Sequence, residues 1–505
     1  MRQAVVIIHG IGEQRPMETL RGFVAGVLGV SAPTLANRVF SKPDRISDTL
    51  ELRRLNVLPG QYGEEVALSC ETDFYELYWQ HLMQGTGWRP VLEWALYWLF
   101  CPWKLNTRLR TQWVRVVTII LLIIGVIILL VPFMWPVLPI RLLGKWVAII
   151  LSVPLVVLLV ALLRWITFGR VERFALGYLG DAVRYLNPDP PNVEARRAIR
   201  TAGLTLLRGL HEDKLRRYER IILVGHSLGS VIAYDLITWF WQEQHHHVEI
   251  GSDSRDRETV STYPLDPNET EPVPNENNSP LKELTGDLRL NDNKNKPDEL
   301  ATFRSRQWAL WQKYQEKGLP WRITDLVTLG SPLAHADVLL VNGDKEALDL
   351  GKAQREFPSC PPAQEDSRDD KLLWRKYDDK EERQLIRILH HGAPFAITRW
   401  TNLYFPGDII GGPVAHLFCE KTKDKDGHCL LREGINDVEL SPPPNSSSAA
   451  RFWWSHTRYW NYREENACRE LRKALSLCEA EDALKCRDHG RAKGEVPNSC
   501  IIKKE

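Results

Sequence analysis

One short segment contains residues whose types and spacing could support covalent catalysis. Residues 225–229 read Gly-His-Ser-Leu-Gly and match the pattern G-x-S-x-G around Ser227. Small residues two positions before and after the serine let a strand turn sharply into a helix and leave the hydroxyl exposed. The apolar run RIILV precedes the motif, and LGSVIAYDLI continues from it. This context predicts a nucleophilic Ser227; the alternative is a serine in an ordinary strand-to-helix turn.

A serine that attacks a carbonyl group needs N–H donors for the oxyanion of the tetrahedral intermediate. The first donor is expected from the residue after the nucleophile, which is Leu228. The second is expected from a loop after an earlier strand, and HGIG at residues 9–12 follows the apolar run AVVII. The predicted second donor is the Ile11 N–H. The other residues of this supporting loop are His9, Gly10 and Gly12.

Together with later segments, these motifs resemble the α/β-hydrolase superfamily, in particular its lipase-like branch. In that branch HG-x-G, GHSLG, a strand ending in GSP, an acid and a histidine follow one another in this order. The matching segments here are HGIG at 9–12, GHSLGS at 225–230, LVTLGSPLA at 326–334, NLYFPGDIIGGP at 402–413 and SHTRYW at 455–460. The chain departs from the common core by an apolar segment before the GHSLG strand and by a polar insertion after the following helix. The resemblance implies a catalytic triad of serine, acid and histidine.

The acid of such a triad should lie just beyond a late strand. Asp408 follows the strand-like segment ITRWTNLY within a Phe-Pro-Gly turn, so it is the predicted acid. Two rivals are Asp337, shortly after the GSPL segment, and Asp437. A non-catalytic alternative for Asp408 is that it caps a turn, as many aspartates near Pro-Gly do.

The base must reach both the serine and the acid, and four histidines follow Asp408 in the chain. His416 is only eight residues from Asp408 and is expected to be too close to arch back over the serine. His428 lies in a charged turn and His489 in a polar tail. His456 lies in the aromatic segment RFWWSHTRYW, which could shield an imidazole from water, so His456 is the predicted base.

The elements that must position these residues alternate between strand-like and helix-like segments. This alternation predicts an α/β fold with a mainly parallel sheet flanked by helices. The predicted strands are 4–8, 74–79, 220–224, 325–329 and 397–404, and the predicted helices are 194–210 and 228–241.

Two long apolar runs without charges lie before the GHSLG strand, at residues 116–135 and 146–163. Twenty such residues in a helix span about 30 Å, the thickness of the hydrocarbon core of a bilayer. Tryptophans mark the ends of the runs, where membrane interfaces favour them. Residues 113–168 are therefore predicted to form a transmembrane helical hairpin; the alternative is a pair of buried core helices.

A hairpin returns the chain to the side it left, so both flanks share one compartment. Seven basic residues flank the hairpin, four before it and three after it, whereas two lie in its connecting turn. The positive-inside rule therefore predicts that the flanks face the cytoplasm. The segment MRQAVVIIHG has only five consecutive apolar residues before its histidine and no small-residue cleavage site, so it is not predicted to be a signal peptide.

The chain length, the charge balance and the cysteine spacing limit the possible domain organisation and class of protein. The chain has 505 residues, with 65 Lys and Arg against 64 Asp and Glu, which excludes a general nucleic-acid binder. The nine cysteines form no Cys-x-x-Cys pair, which favours a reduced compartment and indicates no metal site. The predicted organisation is a hydrolase part at 1–112, the hairpin at 113–168, the main hydrolase part at 169–463 with a polar insertion at 248–298, and a charged tail at 464–505.

These expectations combine into a membrane-anchored serine hydrolase that cleaves an ester bond through Ser227, Asp408 and His456. Its position beside a bilayer favours a lipid or another acylated molecule as substrate, and no cofactor or metal is expected. Two alternatives stay open: a non-catalytic membrane scaffold that keeps the hydrolase fold, and an acyltransferase or peptidase with the same triad.

Overall fold

The computed structural model describes residues 2–10, 16–30, 39–43, 46, 53–62, 66–68, 70–83, 185, 190–212, 218–244, 296–316, 321–341, 343–362, 373–377, 385–389, 392–408, 410–423, 429–432, 434–441, 455–461 and 464–477. The strands are β1 (Arg2–Ile8), β2 (Val39–Pro43), β3 (Arg53–Val57), β4 (Gly60–Tyr62), β5 (Val66–Leu68), β6 (Glu71–Leu77), β7 (Arg220–His226), β8 (Ile323–Leu329), β9 (Leu373–Tyr377), β10 (Leu385–Leu389), β11 (Arg399–Tyr404), β12 (Glu420–Lys423), β13 (Cys429–Arg432) and β14 (Ile435–Glu439). The helices are α1 (Glu18–Leu28), α2 (Pro190–Glu212), α3 (Leu228–Gln244), α4 (Lys296–Glu316), α5 (Ala336–Leu339), α6 (Lys345–Ala353), α7 (Ala415–Phe418) and α8 (Glu465–Leu475). Short 3₁₀ turns lie at Gln80–Leu82, Pro332–His335, Pro394–Ala396 and Ser455–Thr457.

Eight of these strands form one mixed, mostly parallel sheet in the order β14-β11-β8-β7-β1-β6-β3-β2. All neighbours from β14 to β6 are parallel, whereas β3 is antiparallel to β6 and β2 is antiparallel to β3. The α/β class predicted from the alternating segments is therefore confirmed. Parallel neighbours require crossover connections, and helices provide such crossovers along this chain.

The order of the strands reverses beside β1. The chain first builds β3 and β6 on one side of β1 and then adds β7, β8, β11 and β14 on the other side. In open α/β sheets, ligands bind in the crevice at the carboxyl ends of the strands where such a reversal occurs. His9 follows β1 directly and Ser227 follows β7 directly, so both residues lie at this crevice.

Helices cover both faces of the sheet. Val5 and Ile7 of β1 belong to the core cluster that includes side chains of α1 and α8, whereas Val6 and Ile8 belong to the cluster that includes α2 and α3. Because successive residues of a strand point to opposite faces, both faces of β1 must be apolar. This double burial explains why AVVII and RIILV read as continuous apolar runs without polar alternation.

A charged cluster of Arg220, Asp325 and Arg399 links the amino ends of β7, β8 and β11 to the end of α8. The buried Asp325 carboxylate accepts Arg220 Nη2 at 2.6 Å and Arg399 Nη2 at 3.0 Å. Burial would raise the pKa of Asp325, but the charges of Arg399 and Arg220 outweigh it and hold that pKa well below its ordinary value. Arg220 Nη1 also donates to the carbonyl oxygen of Ser476 at 2.7 Å, so the cluster caps the carboxyl end of α8.

The sheet extends further than the sequence predicts. β14 pairs with β11, whereas the sequence predicts no strand after residues 397–404. The opposite edge carries β2 and β3, which were not predicted. The edge strands β2 and β14 and the neighbouring strand β3 contain exposed and half-buried residues and lack the apolar runs that identify strands buried on both faces.

Two predicted boundaries differ from the observed elements. α4 begins at Lys296, so the last three residues of the predicted polar insertion at 248–298 are helical. α8 packs on the sheet through Leu471 and Leu475, so the first part of the predicted tail at 464–505 belongs to the packed core. The predicted hairpin at 113–168 and residues 248–295 lie outside the described residues. Among the helices that are described, none is long and apolar enough to cross a membrane.

Glu76 on β6 is a buried carboxyl group beside the start of α1. Its Oε2 accepts the Met17 N–H at 2.8 Å, whereas Oε1 is buried with no hydrogen-bond partner in the described part of the chain. Burial raises the pKa of Glu76 to about 7; the Met17 N–H opposes this shift and the charge of Glu18 adds to it. Met17 has a left-handed φ of 70°, so the contact holds the backbone where the loop after β1 enters α1.

We expect Glu76→Gln to change the pH dependence of stability. The pKa of about 7 in the folded chain exceeds the ordinary value of 4.5, so folding is favoured while the carboxyl is protonated. This contribution is fully present below pH 4.5 and is lost as the pH rises through 7. The neutral glutamine should therefore match the wild type near about pH 4 and be more stable by about 3 kcal/mol near about pH 8.

Thermal denaturation of both proteins across this pH range measures the difference. Glu465→Gln is the control for the substitution itself, because Glu465 is exposed on α8. A Glu76→Gln protein that loses stability equally at every pH would contradict the prediction.

Candidate active site

The backbone at Ser227 makes a sharp turn between strand and helix. β7 ends at His226, α3 begins at Leu228, and Ser227 between them has a left-handed φ of 53°. A residue with a side chain adopts this conformation rarely, so its surroundings must hold it. The Ser227 N–H donates to the Leu329 carbonyl at 2.9 Å, which ties the turn to the end of β8.

The two glycines of the motif allow backbone segments to meet at this turn. A Cβ on Gly225 would overlap the backbone of Ser230, and a Cβ on Gly229 would overlap the carbonyl oxygen of Ile8 at the end of β1. The small residues in G-x-S-x-G are thus required by packing across the turn, as the motif predicts.

The loop after β1 lies directly against the serine. A Cβ on Gly10 would come within 2.8 Å of the Ser227 Cβ, so this close approach requires glycine. His9 Nδ1 donates to the Gly10 carbonyl at 2.7 Å, and His9 Nε2 accepts the Trp79 N–H at 3.3 Å. Burial lowers the pKa of His9 to about 4, so its ring is neutral and supports the loop. Ile11, the predicted second oxyanion donor, and Gly12 lie outside the described residues.

The structure brings His456 and Asp408 together. His456 lies in the 3₁₀ turn Ser455–Thr457, and its Nδ1 donates to Asp408 Oδ2 at 2.8 Å. Asp408 follows β11 and is fully buried, whereas His456 is 7% exposed. This arrangement leaves the other ring nitrogen of His456 available as a base.

Several donors stabilise the charged form of Asp408. Tyr459 Oη donates to Oδ2 at 2.7 Å, and the Ile410 N–H donates to Oδ1 at 2.9 Å. Burial would raise the pKa of Asp408, but the charge of His456 and the hydrogen bonds from His456 and Tyr459 hold that pKa well below its ordinary value. Gly330, with φ of 55°, gives this cluster room, because a Cβ there would lie 2.8 Å from Asp408 Oδ2.

The rival acids have different partners. Asp437 accepts Asn402 Nδ2 at 2.7 Å and the Ala415 N–H at 2.9 Å, so it caps the start of α7. Asp337 lies on α5 and accepts the Val338 N–H at 3.0 Å. The geometry therefore favours Asp408 as the partner of His456.

Of the other three histidines that follow Asp408, one is exposed and two lie outside the described residues. His416 lies on α7 and is exposed. His428 and His489 lie outside the described residues.

Ser227 and His456, the predicted nucleophile and base, are not hydrogen-bonded to each other, although the ring of His226 next to Ser227 lies 4.9 Å from the His456 ring. Ser227 Oγ and His456 Nε2 are both buried, and neither has a hydrogen-bond partner among the described residues. In ligand-free sites, the serine-to-base hydrogen bond is often long and tightens when substrate binds. Two unpaired buried atoms of opposite role, a hydroxyl and an imidazole nitrogen, are groups that a substrate can engage.

Two further residues organise the site and were not identified from the sequence. His226 Nε2 donates to the His456 carbonyl at 2.8 Å and joins the turn of the nucleophile to the turn of the base. Burial lowers the pKa of His226 to about 3, and the charge of His456 acts in the same direction, so the ring is neutral. Tyr459 donates to Asp408 as described above. Both residues lie inside recognised motifs, but only their contacts reveal these roles.

No metal or thiol chemistry is indicated in the described part of the chain. No group of three or more His, Cys, Asp or Glu side chains there could hold a metal ion. Cys360, Cys419 and Cys468 are buried free thiols. Cys70 is disulfide-bonded, which differs from what the predicted reduced compartment would favour.

Comparisons with known proteins add no relative. No family model, no curated protein and no solved structure matches this chain. The functional assignment therefore rests on the geometry of the site.

Proposed function

We propose that this chain is a serine hydrolase of the α/β-hydrolase superfamily that cleaves carboxylic esters. The observation that supports this most is the meeting of three distant segments at the carboxyl edge of the sheet. Ser227 occupies a left-handed turn after β7, and Gly10 lies against it after β1. His226, the residue before Ser227, bonds to the backbone of His456, which in turn bonds to Asp408. The order of these parts along the chain supports the resemblance to the lipase-like branch of the superfamily.

In the proposed reaction, Ser227 Oγ attacks the ester carbonyl carbon while its proton passes to His456 Nε2. The carbonyl electron pair moves onto oxygen, and the N–H groups of Leu228 and Ile11 stabilise the resulting oxyanion. Asp408 accepts the Nδ1–H of His456 and compensates the imidazolium charge. His456 then gives its proton to the departing alkoxide, which leaves an acyl-enzyme, and water repeats the sequence to release the acid.

The proposed substrate is a lipid or another acylated molecule. Its support is the pair of uncharged apolar runs at residues 116–135 and 146–163, which would place the catalytic unit beside a bilayer. The excess of basic residues outside these runs supports a cytoplasmic position for that unit. Acyl transfer and peptide cleavage use the same triad and are distinguished by a panel of acyl acceptors and amide substrates.

Ser227→Ala is expected to abolish covalent labelling by a fluorophosphonate probe, because the probe needs the serine alkoxide. Turnover of an acyl ester should fall by roughly 10⁴-fold or more, as when a triad nucleophile is removed. Ser305→Ala is the matched control, since Ser305 is an exposed helical serine and labelling should be unchanged. Undiminished labelling of the Ser227→Ala protein would refute the nucleophile, and an unreactive wild type would favour the scaffold alternative.

Asp408→Asn is expected to leave the fold intact and to reduce kcat by roughly 10³-fold to 10⁴-fold, because the amide cannot compensate the His456 charge. His456→Ala should be nearly as damaging as removal of the serine. Asp437→Asn is the control, since its contacts lie at the start of α7. Steady-state kinetics of the purified variants measure these effects, and a silent Asp408→Asn beside an inactive Asp437→Asn would reverse the assignment of the acid.

Topology is tested separately from chemistry. Protease added to sealed, right-side-out spheroplasts should leave the catalytic unit intact, because the charge distribution predicts a cytoplasmic location. The same protease should digest it once the membrane is permeabilised. Deletion of residues 113–165 should move the protein from the membrane fraction to the soluble fraction. Digestion in sealed spheroplasts would overturn the proposed orientation.

A further inference from the structure

Two buried serines that the reaction does not use form a chain of hydrogen bonds that ends at the nucleophile's own backbone. Ser230 Oγ donates to the carbonyl oxygen of Ser227 at 2.6 Å. Ser331, at the end of β8, lies with its Oγ 2.6 Å from Ser230 Oγ. Ser331 Oγ in turn accepts the Leu333 N–H at 3.2 Å. Ser230 and Ser331 are fully buried.

The direction of this chain follows from counting hydrogens. A serine hydroxyl has one proton to donate, and Ser230 gives its proton to the Ser227 carbonyl. Ser331 must therefore be the donor in the contact between the two hydroxyls. All the donors point the same way, from Leu333 through Ser331 and Ser230 to the Ser227 carbonyl oxygen.

That carbonyl oxygen shares a peptide group with the Leu228 N–H. The Ser227 oxygen also accepts the Ser230 N–H at 2.9 Å, so it receives two hydrogen bonds. Because a peptide group is conjugated, donation to its oxygen makes its N–H more positive, and hydrogen bonds in a chain polarise one another. The same bonds fix the plane of the peptide and thus the direction in which the Leu228 N–H points.

We propose that Ser230 and Ser331 are positioning residues that orient and polarise the Leu228 N–H as an oxyanion donor. This inference rests on the proposed function, since it concerns the donor of the same reaction. The two serines act through the peptide of Ser227 and Leu228 and touch no reacting atom. Their effect is therefore confined to the stage at which negative charge develops on the substrate oxygen.

The test compares ground-state and transition-state interactions in the full-length protein. Ser230→Ala should lower kcat on a p-nitrophenyl acyl ester by about fivefold with little change in KM, because the donor stays but loses polarisation and alignment. A trifluoromethyl ketone forms a tetrahedral oxyanion adduct with the serine, and its affinity should fall by a similar factor. Ser331→Ala should cause a smaller loss of the same kind, and the double variant should resemble Ser230→Ala alone, because Ser331 acts through Ser230.

Two further variants separate hydrogen bonding from packing. Ser230→Cys fills nearly the same volume but donates weakly, so it should behave like Ser230→Ala. Ser359→Ala removes another buried hydroxyl, which donates to the Pro361 carbonyl away from the site, and should leave kcat and ketone affinity unchanged.

The outcomes also separate this inference from the proposed function. Restoration of kcat by Ser230→Cys, a loss expressed only in KM, or additive losses in the double variant would overturn the inference while the wild type still hydrolyses the ester. A wild type that neither hydrolyses the ester nor reacts with a fluorophosphonate would overturn both.

Discussion

The left-handed backbone of Ser227 is the constraint on which the rest of the site depends. A residue with a side chain at φ of 53° costs about 1 kcal/mol or more, so it persists only where neighbours hold it. Leu329 accepts its N–H, Ser230 donates to its carbonyl, and Gly10 leaves space beside its Cβ. These contacts come from the ends of β8, α3 and β1, so the turn can form only when the central strands lie side by side.

The second constraint is the burial of two carboxylates, Asp325 and Asp408, at opposite ends of the strands. Different partners stabilise the charge of each one. At the amino ends of β7, β8 and β11, Arg220 and Arg399 surround Asp325. Guanidinium groups stay charged at every relevant pH, so these contacts stabilise the buried carboxylate. At the carboxyl ends of the strands, Asp408 accepts hydrogen bonds from Tyr459, from the Ile410 N–H and from His456. A neutral imidazole nitrogen can accept a proton and a guanidinium cannot, so Asp408 has the partner that is suited to proton transfer.

Three buried histidines, His9, His226 and His456, lie around the turn at Ser227, and they have different hydrogen-bond partners. His9 and His226 each donate to a backbone carbonyl, and burial keeps both rings neutral. His456 donates to a carboxylate, which can stabilise the imidazolium that forms when the ring accepts a proton. The neutral rings thus support the loop and the turn, while the proposed base is the histidine that has an anionic partner.

The sequence by itself determined the central strands, the turn at Ser227 and the loop at His9, because burial on both faces and tight turns leave local patterns of apolar runs and glycines. The membrane hairpin is likewise an expectation from the sequence. The sequence does not predict the edge strands β2 and β14 or the neighbouring strand β3, because partly exposed strands have no such runs. The sequence predicts Asp408 as the acid with Asp337 and Asp437 as rivals, and only the tertiary structure shows that His456 contacts Asp408. The contacts of His226 and Ser331 were likewise revealed only by the tertiary structure. Those contacts join residues 48, 230 and 101 positions apart, and a hydrogen bond depends on a separation and direction that local residue patterns do not encode.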